Sequence, residues 1–569
     1  MSQRIHQVDV LIAGTGAAGF ATALTARRAG LSVLMVEKEP QFGGTTAYSA
    51  GVIWIPMNHH AEAEGLADSR DAALAYMAHQ AGNYHDRARA EAFVDTAAEM
   101  VRTFEDEGWA RFALAPTWAD YHPHDPGGVD GGRSLVPGQY DGRRLGDWFS
   151  KLRAPLQTMM GLGGMMVGRT DIPHVFAMAR APRSALHVAG MALRYYRDRA
   201  AGHPRGTRLM NGNALIAQMA ERALDMGVEL WLESPLVAIE RDGRVTGATV
   251  ERSGSAQRIE VARAVVLASG GFPRAAERTG AAYRHLAANK NHVTLPPPGN
   301  TGDGARLAEE MGGRLSLDVV HPAAWTPVSQ VPQPDGSLAP YPHFIDRGKP
   351  GYIAVDKRGK RFVSEAASYH TFVPAMMAAC EDDAEIAAWV ICDRRALRRY
   401  GLGALGPAPV RVAPFLRSGY VKTGQTLDEL AAACGIDAAG LKDTVARFNP
   451  AAAKGEDPEF GRGGDAYQVF NGDPAHRPNP SLGPLQHAPF YAVKVEPGEL
   501  GTFAGIATDA SARVLDGDGA PIPGLYAVGN DALSVMGGAY PGAGITIGPA
   551  MTFGYIAGRH LAGGEPQPD

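Results

Sequence analysis

The sequence predicts an α/β fold in which a Rossmann-like domain is split in sequence and an α+β domain is inserted between its two parts. Residues 8–37 form an apolar strand, an alanine-rich helix and a second apolar strand, which together are one βαβ unit. Residues 214–232 repeat the helix-then-strand pattern, and residues 264–271 are another apolar strand that runs into glycines. Residues 524–563 return to a strand, a glycine-rich loop and a helix. The last segment is therefore expected to complete the sheet that begins at the N-terminus.

The domain boundaries are predicted from a change in composition. From about residue 300 the chain is punctuated by glycine and proline, which is typical of loops and short elements rather than of βαβ units. We assign residues 1–286 and 486–569 to the two parts of the Rossmann-like domain, and residues 287–485 to an inserted catalytic domain.

Composition narrows the classes of partner and compartment. The chain has 569 residues, of which 45% are hydrophobic, and this is enough for a sizeable buried core. Its net charge of −5 gives no basic excess, so nucleic acid is not expected as a partner. The three cysteines are too few and too widely spaced for a disulfide framework, and the N-terminus has no signal-peptide pattern. We therefore expect a cytoplasmic protein.

Residues 149–205 form an unusual segment within the first part of the Rossmann-like domain. It is rich in methionine near its start, and arginines alternate with apolar residues along the rest. This pattern suits peripheral contact with the inner face of the cell membrane, with cations at anionic headgroups. The same pattern equally suits a helical insertion that packs on its own domain or on a second subunit, with methionines filling gaps. The sequence leaves both interpretations open.

A glycine motif opens the first helix. Gly14, Gly16 and Gly19 form a G-x-G-x-x-G pattern, where backbone can approach a pyrophosphate at the helix N-terminus. Glu37 ends the second strand, 23 residues after Gly14. A carboxylate there accepts hydrogen bonds from adenosine ribose hydroxyls and repels a 2′-phosphate. The motif thus predicts an adenine dinucleotide other than NADP and leaves FAD and NAD as candidates.

Two further segments favour FAD over NAD. Residues 43–51 supply a second polar, glycine-rich loop, suited to covering the phosphates and ribityl chain of a flavin, and this loop resembles the GG loop of flavoproteins. Residues 525–531 are a strand that runs into a polar glycine turn, and they resemble the last strand of FAD-binding folds. The whole chain is similar to the fumarate reductase and succinate dehydrogenase flavoprotein superfamily, in which a catalytic domain is inserted in a split FAD domain.

The resemblance implies a set of cofactor-binding residues. The expected FAD-binding residues are Gly14, Gly16, Ala17, Ala18, Gly19, Glu37, Lys38, Gly44, Thr45, Thr46, Ser49, Ala50, Gly51, Val237, Ser269, Gly270, Gly529, Asn530, Asp531, Gly544 and Ile547. Covalent members of the family attach the flavin to a histidine in the GG loop, and this loop has none, so we expect a non-covalent cofactor. His59, His60 and His122 lack a regular ligand spacing, and no metal site is expected.

Three segments point to one branch of this superfamily. Residues 51–56, 119–128 and 536–550 together resemble the 3-ketosteroid Δ1-dehydrogenases. The resemblance implies removal of a proton from C2 and transfer of a hydride from C1 to flavin N5, which forms a C1–C2 double bond during steroid catabolism. It implies a 3-ketosteroid substrate such as 4-androstene-3,17-dione or cholest-4-en-3-one, and a quinone-type electron acceptor.

The same resemblance implies a catalytic set of three tyrosines and one glycine. Tyr540 and the backbone N–H of Gly544 match the donors at the C3 ketone, which stabilise charge developing toward an enolate. Tyr369 matches the tyrosine base, and Tyr121 matches the tyrosine that lies beside it and shares its proton. Such a base has to be activated, because an unperturbed phenol titrates at about pH 10.

Other reactions remain as alternatives. A fumarate-reductase-like enoate reductase would share the fold, but those enzymes carry an arginine proton donor where this sequence has Tyr369. A 3-ketosteroid Δ4-(5α)-dehydrogenase would desaturate C4–C5 with a different donor set, which the intact segment 540–544 disfavours. A flavin-binding protein without catalysis would have no need of the tyrosine set.

Overall fold

The first sheet of the computed structural model, which describes residues 6–409 and 411–563, has eight strands. Three of them, at the edges, are antiparallel to their neighbours, and the others form a parallel core. The strands of this sheet are His6–Ala13, Val33–Val36, Glu229–Trp231, Leu236–Asp242, Arg244–Arg252, Ser255–Leu267, Arg513–Leu515 and Pro521–Ala527. Both ends of the chain therefore contribute to one sheet, and the predicted α/β fold with a split Rossmann-like domain is confirmed.

The N-terminal strand lies at the centre of this sheet. His6–Ala13 pairs in parallel with Val33–Val36 on one side and with Ser255–Leu267 on the other. Pro521–Ala527 pairs in parallel with Ser255–Leu267 and so joins the C-terminal part of the chain to the N-terminal part. The apolar side chains of these strands are buried, as expected where helices cover both faces of a parallel sheet. Parallel pairing brings the carboxyl ends of these strands to one edge.

The helices predicted after the first strand and before residue 228 are present. They span Ala17–Arg28 and Asn211–Asp225, and Ala17–Arg28 packs against the final helix, Ile547–Gly563. The remaining α-helices are His59–Ala63, Arg70–Ala81, Arg87–Asp106, Ile172–Ala177, Pro182–Ala200, Ala276–Ala282, Arg284–Ala287, Asp303–Glu310, Tyr369–Ala379, Arg394–Tyr400, Ala413–Arg417, Leu427–Cys434, Ala438–Lys454 and Ala466–Asn471. The contact between the first and last helices places the C-terminal loops beside the glycine turn.

A second sheet of seven mostly antiparallel strands forms the core of the inserted domain. Its strands are Val293–Thr294, Ala323–Pro332, Leu338–Pro342, Tyr352–Val355, Ala388–Asp393, Val421–Gly424 and Phe490–Thr502. Phe490–Thr502 pairs with strands of this sheet although it follows residue 485, where we predict the inserted domain to end. The predicted boundaries remain predictions, and residues 1–5 and 564–569 of the assigned ranges lie outside the described residues.

Three smaller sheets are present in the described part of the chain besides these two. Their strands are Ile53–Trp54, Phe112–Leu114 and Ser134–Pro137 in one sheet, Tyr140–Asp141 and Arg208–Leu209 in another, and Leu315–Ser316 and Gly505–Ile506 in a third. The first of them carries Trp54, which lies close to the predicted catalytic loop near residue 540.

The arginine-rich segment 149–205 is largely helical. Ile172–Ala177 and Pro182–Ala200 are its two α-helices, and they pack on each other. The longer helix exposes Leu186, Leu193 and Tyr196, which are 73%, 72% and 58% accessible. No helix in the described part of the chain combines the length and apolar character that crossing a membrane requires.

The turn between the first strand and the first helix generates a prediction. Gly14 has a φ of +115°, and a Cβ built there would lie 2.1 Å from the carbonyl oxygen of Ala268. Gly30 also has a positive φ, of +86°, but a Cβ there would meet nothing within 4 Å. We expect Gly30→Ala to cost only the conformational strain, about 1–2 kcal/mol. Gly14→Ala adds a backbone clash, so it should lower the melting temperature further and abolish flavin binding.

Thermal unfolding and the flavin content of the two purified variants provide the measurement. Equal melting temperatures and equal flavin content in the Gly14→Ala and Gly30→Ala proteins would show that the clash with Ala268 has no importance.

Candidate active site

A cavity of about 1280 Å³ opens at the carboxyl edge of the parallel strands and extends toward the second sheet. Ligands of open α/β sheets bind at this edge. The predicted residues that line the cavity are Gly14, Gly16, Ala17, Ala18, Glu37, Lys38, Gly44, Thr45, Thr46, Ser49, Ala50, Gly51, Tyr121, Ser269, Gly270, Tyr369, Gly529, Asn530, Tyr540, Gly544 and Ile547. One cavity thus brings the glycine motifs and the three tyrosines together.

Three predicted cofactor residues lie beside the cavity rather than in its wall. Gly19 is inside the first helix, where it packs against the glycine turn. Val237 follows Leu236, which does line the cavity, and adjacent strand residues point to opposite faces. Asp531 accepts hydrogen bonds from the backbone N–H of Ser269 at 2.5 Å, so it shapes the turn that follows the strand.

Glu37 is held by a threonine of the glycine turn. Thr15 Oγ1 donates to Glu37 Oε2 over 2.5 Å and accepts from the backbone N–H of Gly43 over 3.0 Å. Burial raises the pKa of the Glu37 carboxyl, and the hydrogen bond from Thr15 opposes this rise. Thr15 therefore links the G-x-G-x-x-G turn, the acid and the second glycine loop, a role that the spacing of glycines alone does not reveal.

The end of the cavity beside Gly14 and Gly16, which we call the glycine end, has the groups that FAD requires. A Cβ built on Gly16 would contact only Thr46 Oγ1, at 3.8 Å, so the backbone at the helix N-terminus faces open space. Arg153, which is 7% exposed, also lines this end, and its Nε has no hydrogen-bond partner among the described residues. A helix N-terminus and a buried cation suit a pyrophosphate, and Glu37 suits the adenosine ribose. The residues present therefore fit FAD.

Tyr121, Tyr369 and Tyr540 form a cluster at the other side of the cavity. Tyr121 Oη donates a hydrogen bond to Tyr369 Oη over 2.8 Å. The ring of Tyr540 stacks on Tyr121, with centroids 5.4 Å apart and planes inclined by 9°, and its centroid is 5.2 Å from that of Tyr369. Three hydroxyl groups from distant parts of the sequence thus share one buried pocket.

The tyrosine cluster is strongly desolvated. Burial is the main cause that raises the pKa of Tyr121 and of Tyr369 well above the usual value of a phenol, and the neighbouring tyrosines add to it. Burial also raises the pKa of Tyr540 to about 12. All three phenols are therefore neutral near pH 7, which suits Tyr540 as a hydrogen-bond donor. A phenolate at Tyr369 would need the hydrogen bond from Tyr121 for its stabilisation.

The loop Tyr540–Gly544 is anchored by hydrogen bonds to its backbone carbonyls. The carbonyl of Pro541 accepts from the N–H of Tyr121 at 2.8 Å and from Tyr76 Oη at 2.7 Å. Gly544 has a φ of +98°, and a Cβ there would lie 2.6 Å from the backbone of Trp54. Within the described residues the Gly544 N–H has no acceptor, so it is free to donate into the cavity that it lines.

A buried ion-pair network holds Trp54 and Tyr121, whose backbone N–H groups donate to this loop. Asp120, which precedes Tyr121, accepts from Trp54 Nε1 and from Arg133 Nη1, both at 2.8 Å. Arg133 also donates two hydrogen bonds to the Asp68 carboxylate in a bidentate ion pair, at 2.6 and 3.0 Å, and its side chain is 1% exposed. Burial raises the pKa of Asp120 to about 6, against the lowering effect of Arg133. These contacts fix Tyr121 relative to the strand that supports Gly544.

The structure adds aromatic residues that the sequence did not single out. The ring centroid of Tyr467 is 4.5 Å from that of Tyr121, that of Phe344 is 5.1 Å from Tyr369, and that of His370 is 5.4 Å from Tyr540. Tyr467 and Phe344 also line the cavity. His370 could have been noticed because it follows Tyr369 directly, but Tyr467 and Phe344 lie in segments without a motif.

One histidine cluster lies outside the cavity. Nε2 atoms of His59 and His60 are 2.9 and 3.0 Å from Oε2 of Glu105, and the three residues could hold a metal ion. The Glu105 carboxylate also accepts from the backbone N–H of Phe112. Hydrogen bonds therefore account for this cluster without an ion, and His122 does not belong to it. The absence of a metal site remains a prediction.

The fold and this site together define a class, that of FAD-dependent dehydrogenases. The sequence pattern of the family described as "FAD binding domain" matches residues 9–547. The chain belongs to this family, within the group that contains the fumarate reductases and the ketosteroid dehydrogenases.

Three proteins are similar to this chain over nearly its whole length. The "4-oxocyclohex-2-ene-1-carboxylate 5-dehydrogenase" of Sinomonas cyclohexanicum is 42% identical over 97% of this chain and 93% of its own length. The "3-oxosteroid 1-dehydrogenase" of Mycobacterium tuberculosis is 36% identical over 98% of this chain and 99% of its own. The crystal structure of 3-ketosteroid Δ1-dehydrogenase from Sterolibacterium denitrificans with 1,4-androstadiene-3,17-dione has a TM-score of 0.89 and 35% identity, and the match covers 98% of this chain and 100% of that one.

The ion-pair network beneath the tyrosine cluster generates a prediction. Asp120→Asn removes one charge from a pair in which both side chains are at most 2% exposed. We expect a loss of about 3 kcal/mol in the free energy of unfolding, because the buried charge of Arg133 loses one of its two carboxylate partners. Flavin reduction by substrate should also slow, since Tyr121 and the loop at Gly544 lose their common support.

Asp95→Asn is the matched control. Asp95 accepts two short hydrogen bonds from Arg70, at 2.6 and 2.9 Å, but both side chains are more than 40% exposed. An exposed pair of this kind contributes about 0–1 kcal/mol. Chemical denaturation of both variants measures the difference, and similar losses would contradict a special role for Asp120.

Proposed function

We propose that this protein is an FAD-dependent 3-ketosteroid 1-dehydrogenase, which forms a C1–C2 double bond in ring A of its substrate. The observation that carries the proposal is the shared pocket of Tyr121, Tyr369 and Tyr540 beside the FAD-binding end of one cavity. It combines a hydrogen-bonded tyrosine pair with a separate phenol donor and a free backbone N–H at Gly544. Removing a proton next to a ketone needs both a base and donors at the carbonyl oxygen.

In this proposal Tyr540 Oη and the Gly544 N–H donate to the ketone oxygen and stabilise the negative charge that develops there. Tyr369 Oη accepts the proton from the adjacent carbon, C2. Tyr121 donates to that same oxygen over 2.8 Å, so it stabilises the phenolate character that makes Tyr369 basic. When bound, FAD supplies the acceptor for the hydride that leaves C1. The buried aromatic surroundings exclude water from these groups.

The remainder of the cavity supports a large apolar substrate. Its wall beyond the tyrosines includes Phe344, Ile345, Phe470 and several residues of the segment 149–205. A 3-ketosteroid such as 4-androstene-3,17-dione or cholest-4-en-3-one presents a ring ketone at one end and a long hydrocarbon body behind it. A quinone-type acceptor would then reoxidise the flavin.

A second candidate is a single-ring keto acid. The relative that is 42% identical is named for a 4-oxocyclohexene carboxylate, whereas the steroid relatives are 36% identical or less. Both reactions desaturate a carbon–carbon bond beside a ring ketone, so they ask the same chemistry of Tyr369, Tyr540 and Gly544. An enoate reductase is disfavoured because Tyr369 occupies the position of the arginine proton donor.

We also propose that the segment 149–205 contacts the inner face of a membrane from the cytoplasm. Leu186, Leu193 and Tyr196 are exposed along one side of the helix Pro182–Ala200, at spacings of seven and three residues that place them on one face. Exposed arginines of the same helix flank them, and residues of this segment also line the cavity. An apolar face bordered by arginines suits anionic lipid, in which a sterol-like substrate is dissolved.

The tyrosine base is tested by Tyr369→Phe. We expect anaerobic reduction of the flavin by 4-androstene-3,17-dione to slow by at least about 100-fold, because the proton acceptor is gone, with FAD still bound. Tyr196→Phe, on the exposed helix, is the matched control and should reduce normally. Stopped-flow absorbance of the flavin band measures both rates, and NMR of the wild-type product from 5α-androstane-3,17-dione, whose ring A has no double bond, identifies the bond formed. Unchanged reduction in Tyr369→Phe, or a C4–C5 double bond formed from that saturated steroid, would refute the proposal.

Membrane contact is tested by flotation with lipid vesicles. The wild-type protein should float with vesicles rich in phosphatidylglycerol and much less with phosphatidylcholine alone, because the arginines need anionic headgroups. Replacing Leu186 and Leu193 with serine should abolish flotation, whereas serine at Leu338, an exposed leucine of the second sheet that is 54% accessible, should not. If the helix instead packs on a second subunit, wild-type protein will not float, and the double variant will shift from dimer to monomer in sedimentation.

A further inference from the structure

A group of charged residues lines the cavity beyond the tyrosine cluster. They are Arg180, Lys349, Arg399 and Asp473, and the phenol of Tyr400 lies among them. Neither the FAD-binding residues nor the tyrosines of the proposed reaction use this group. We name it the cationic end of the cavity, because three basic side chains accompany a single carboxylate there.

Lys349 is the central member of the cationic end. Its side chain is 7% exposed, and Nζ donates to the backbone carbonyl of Gly472 over 2.7 Å. The ammonium group also lies 5.5 Å from the ring centroid of Phe176, in the segment 149–205. Lys349 forms no ion pair with any residue in 6–409 or 411–563. A buried ammonium without an anion is energetically unfavourable, and burial lowers the pKa of Lys349 to about 8.

The only carboxylate of this group is already compensated. Asp473 accepts a hydrogen bond from Tyr400 Oη at 2.6 Å and forms an ion pair with Arg399 Nη2. It also accepts from the backbone N–H of Ala475. Nε of Arg399 is buried and has no partner among the described residues. Asp473 is thus paired with Arg399, and its attraction and that of Asp346 for Lys349 only partly oppose the effect of burial on the pKa of Lys349, so Lys349 and Arg180 give this end excess positive charge.

The cationic end and the ketone-binding groups lie in one cavity, and one short helix contacts both. The helix Ala466–Asn471 connects the two sites, since Tyr467 near its start packs on Tyr121 and Gly472 just after its end accepts from Lys349. Five residues at 1.5 Å each give about 7.5 Å along the helix axis. Because Tyr540, Tyr467 and Lys349 line the same cavity, a molecule with its ketone at Tyr540 can extend toward Lys349 within it.

We propose that the cationic end binds a carboxylate at the end of the substrate remote from the ketone, with Lys349 as its ion-pair partner and Arg399 as a further donor. The inference rests on the proposed function, because it takes the ketone to lie at Tyr540 and Gly544. Two sources share this chemistry, a single-ring keto acid and a 3-ketosteroid with an acidic side chain. In both, the carboxylate supplies the charge that Lys349 lacks in the free protein.

The first experiment varies the substrate and leaves the holoenzyme intact. We would measure kcat/KM with an artificial electron acceptor for two matched pairs, 4-oxocyclohexane-1-carboxylate and its methyl ester, and 3-oxochol-4-en-24-oate and its methyl ester. 4-Androstene-3,17-dione serves as a neutral reference. At least one acid should exceed its ester by about tenfold or more, since a hydrogen bond to a charged group has that effect on a ratio. The pair that responds identifies the source of the carboxylate.

The second experiment varies Lys349. The acid-to-ester ratio of kcat/KM should fall about tenfold in Lys349→Met and be largely retained in Lys349→Arg, which keeps the charge. Lys442→Met removes a lysine that pairs with Asp428 on the surface, where both side chains are more than 50% exposed, and should leave the ratio unchanged. Because each ratio is taken within one variant, a general loss of folding or flavin does not alter it.

The outcomes separate the inference from the function on which it rests. Equal kcat/KM for acid and ester in both pairs, or an acid preference that Lys349→Met retains, would overturn the carboxylate site and leave the dehydrogenase proposal standing. Flavin reduction by none of the five compounds, or by the single-ring compounds alone, would overturn the proposed steroid dehydrogenase function itself.

Discussion

The arrangement of this site depends on a buried pair of charges, Asp120 and Arg133, beneath the tyrosine cluster. Asp120 is adjacent in sequence to Tyr121 and binds the indole of Trp54, whose own strand abuts Gly544. Segments near residues 54, 120 and 540 are thereby joined in one rigid unit. Taking both charges out of water is costly, and their mutual attraction and further hydrogen bonds offset that cost only when the geometry is well satisfied. The precise position of the phenols follows from this requirement.

The second constraint is the closure of the first sheet by both ends of the chain. Pro521–Ala527 joins the sheet beside Ser255–Leu267, which in turn pairs with the N-terminal strand. The loop at Tyr540 then emerges at the same edge as the glycine turn at Gly14, because parallel strands share one carboxyl edge. The helix Tyr369–Ala379, which packs on the second sheet, contributes Tyr369. A cavity that begins at the cofactor-binding edge of the first sheet and is also lined by residues of the inserted domain follows from this topology.

Burial and reactivity oppose each other at the tyrosines. The surroundings that exclude water also raise the pKa of Tyr369, which weakens the phenol as a source of phenolate. In the proposed reaction, the hydrogen bond from Tyr121 to Tyr369 and the donors at Tyr540 and Gly544 would oppose this effect by stabilising negative charge where it forms. Burial and charge also oppose each other at the cationic end, since the Lys349 ammonium is buried and, in the proposed site, gains an anionic partner only when the substrate carboxylate binds.

The sequence by itself determined the split α/β fold and most of the cavity wall at the glycine end, because strand periodicity, the G-x-G-x-x-G spacing and the acid at Glu37 are local signals. It also singled out the three tyrosines, through family segments around each. Only the tertiary structure decided that Leu236 rather than Val237 lines the cavity, that Phe490–Thr502 joins the second sheet, and that Lys349 and Tyr467 line the same cavity as the three predicted tyrosines. Those facts depend on how distant segments pack, and no local pattern encodes which face of a strand or loop a distant neighbour will cover.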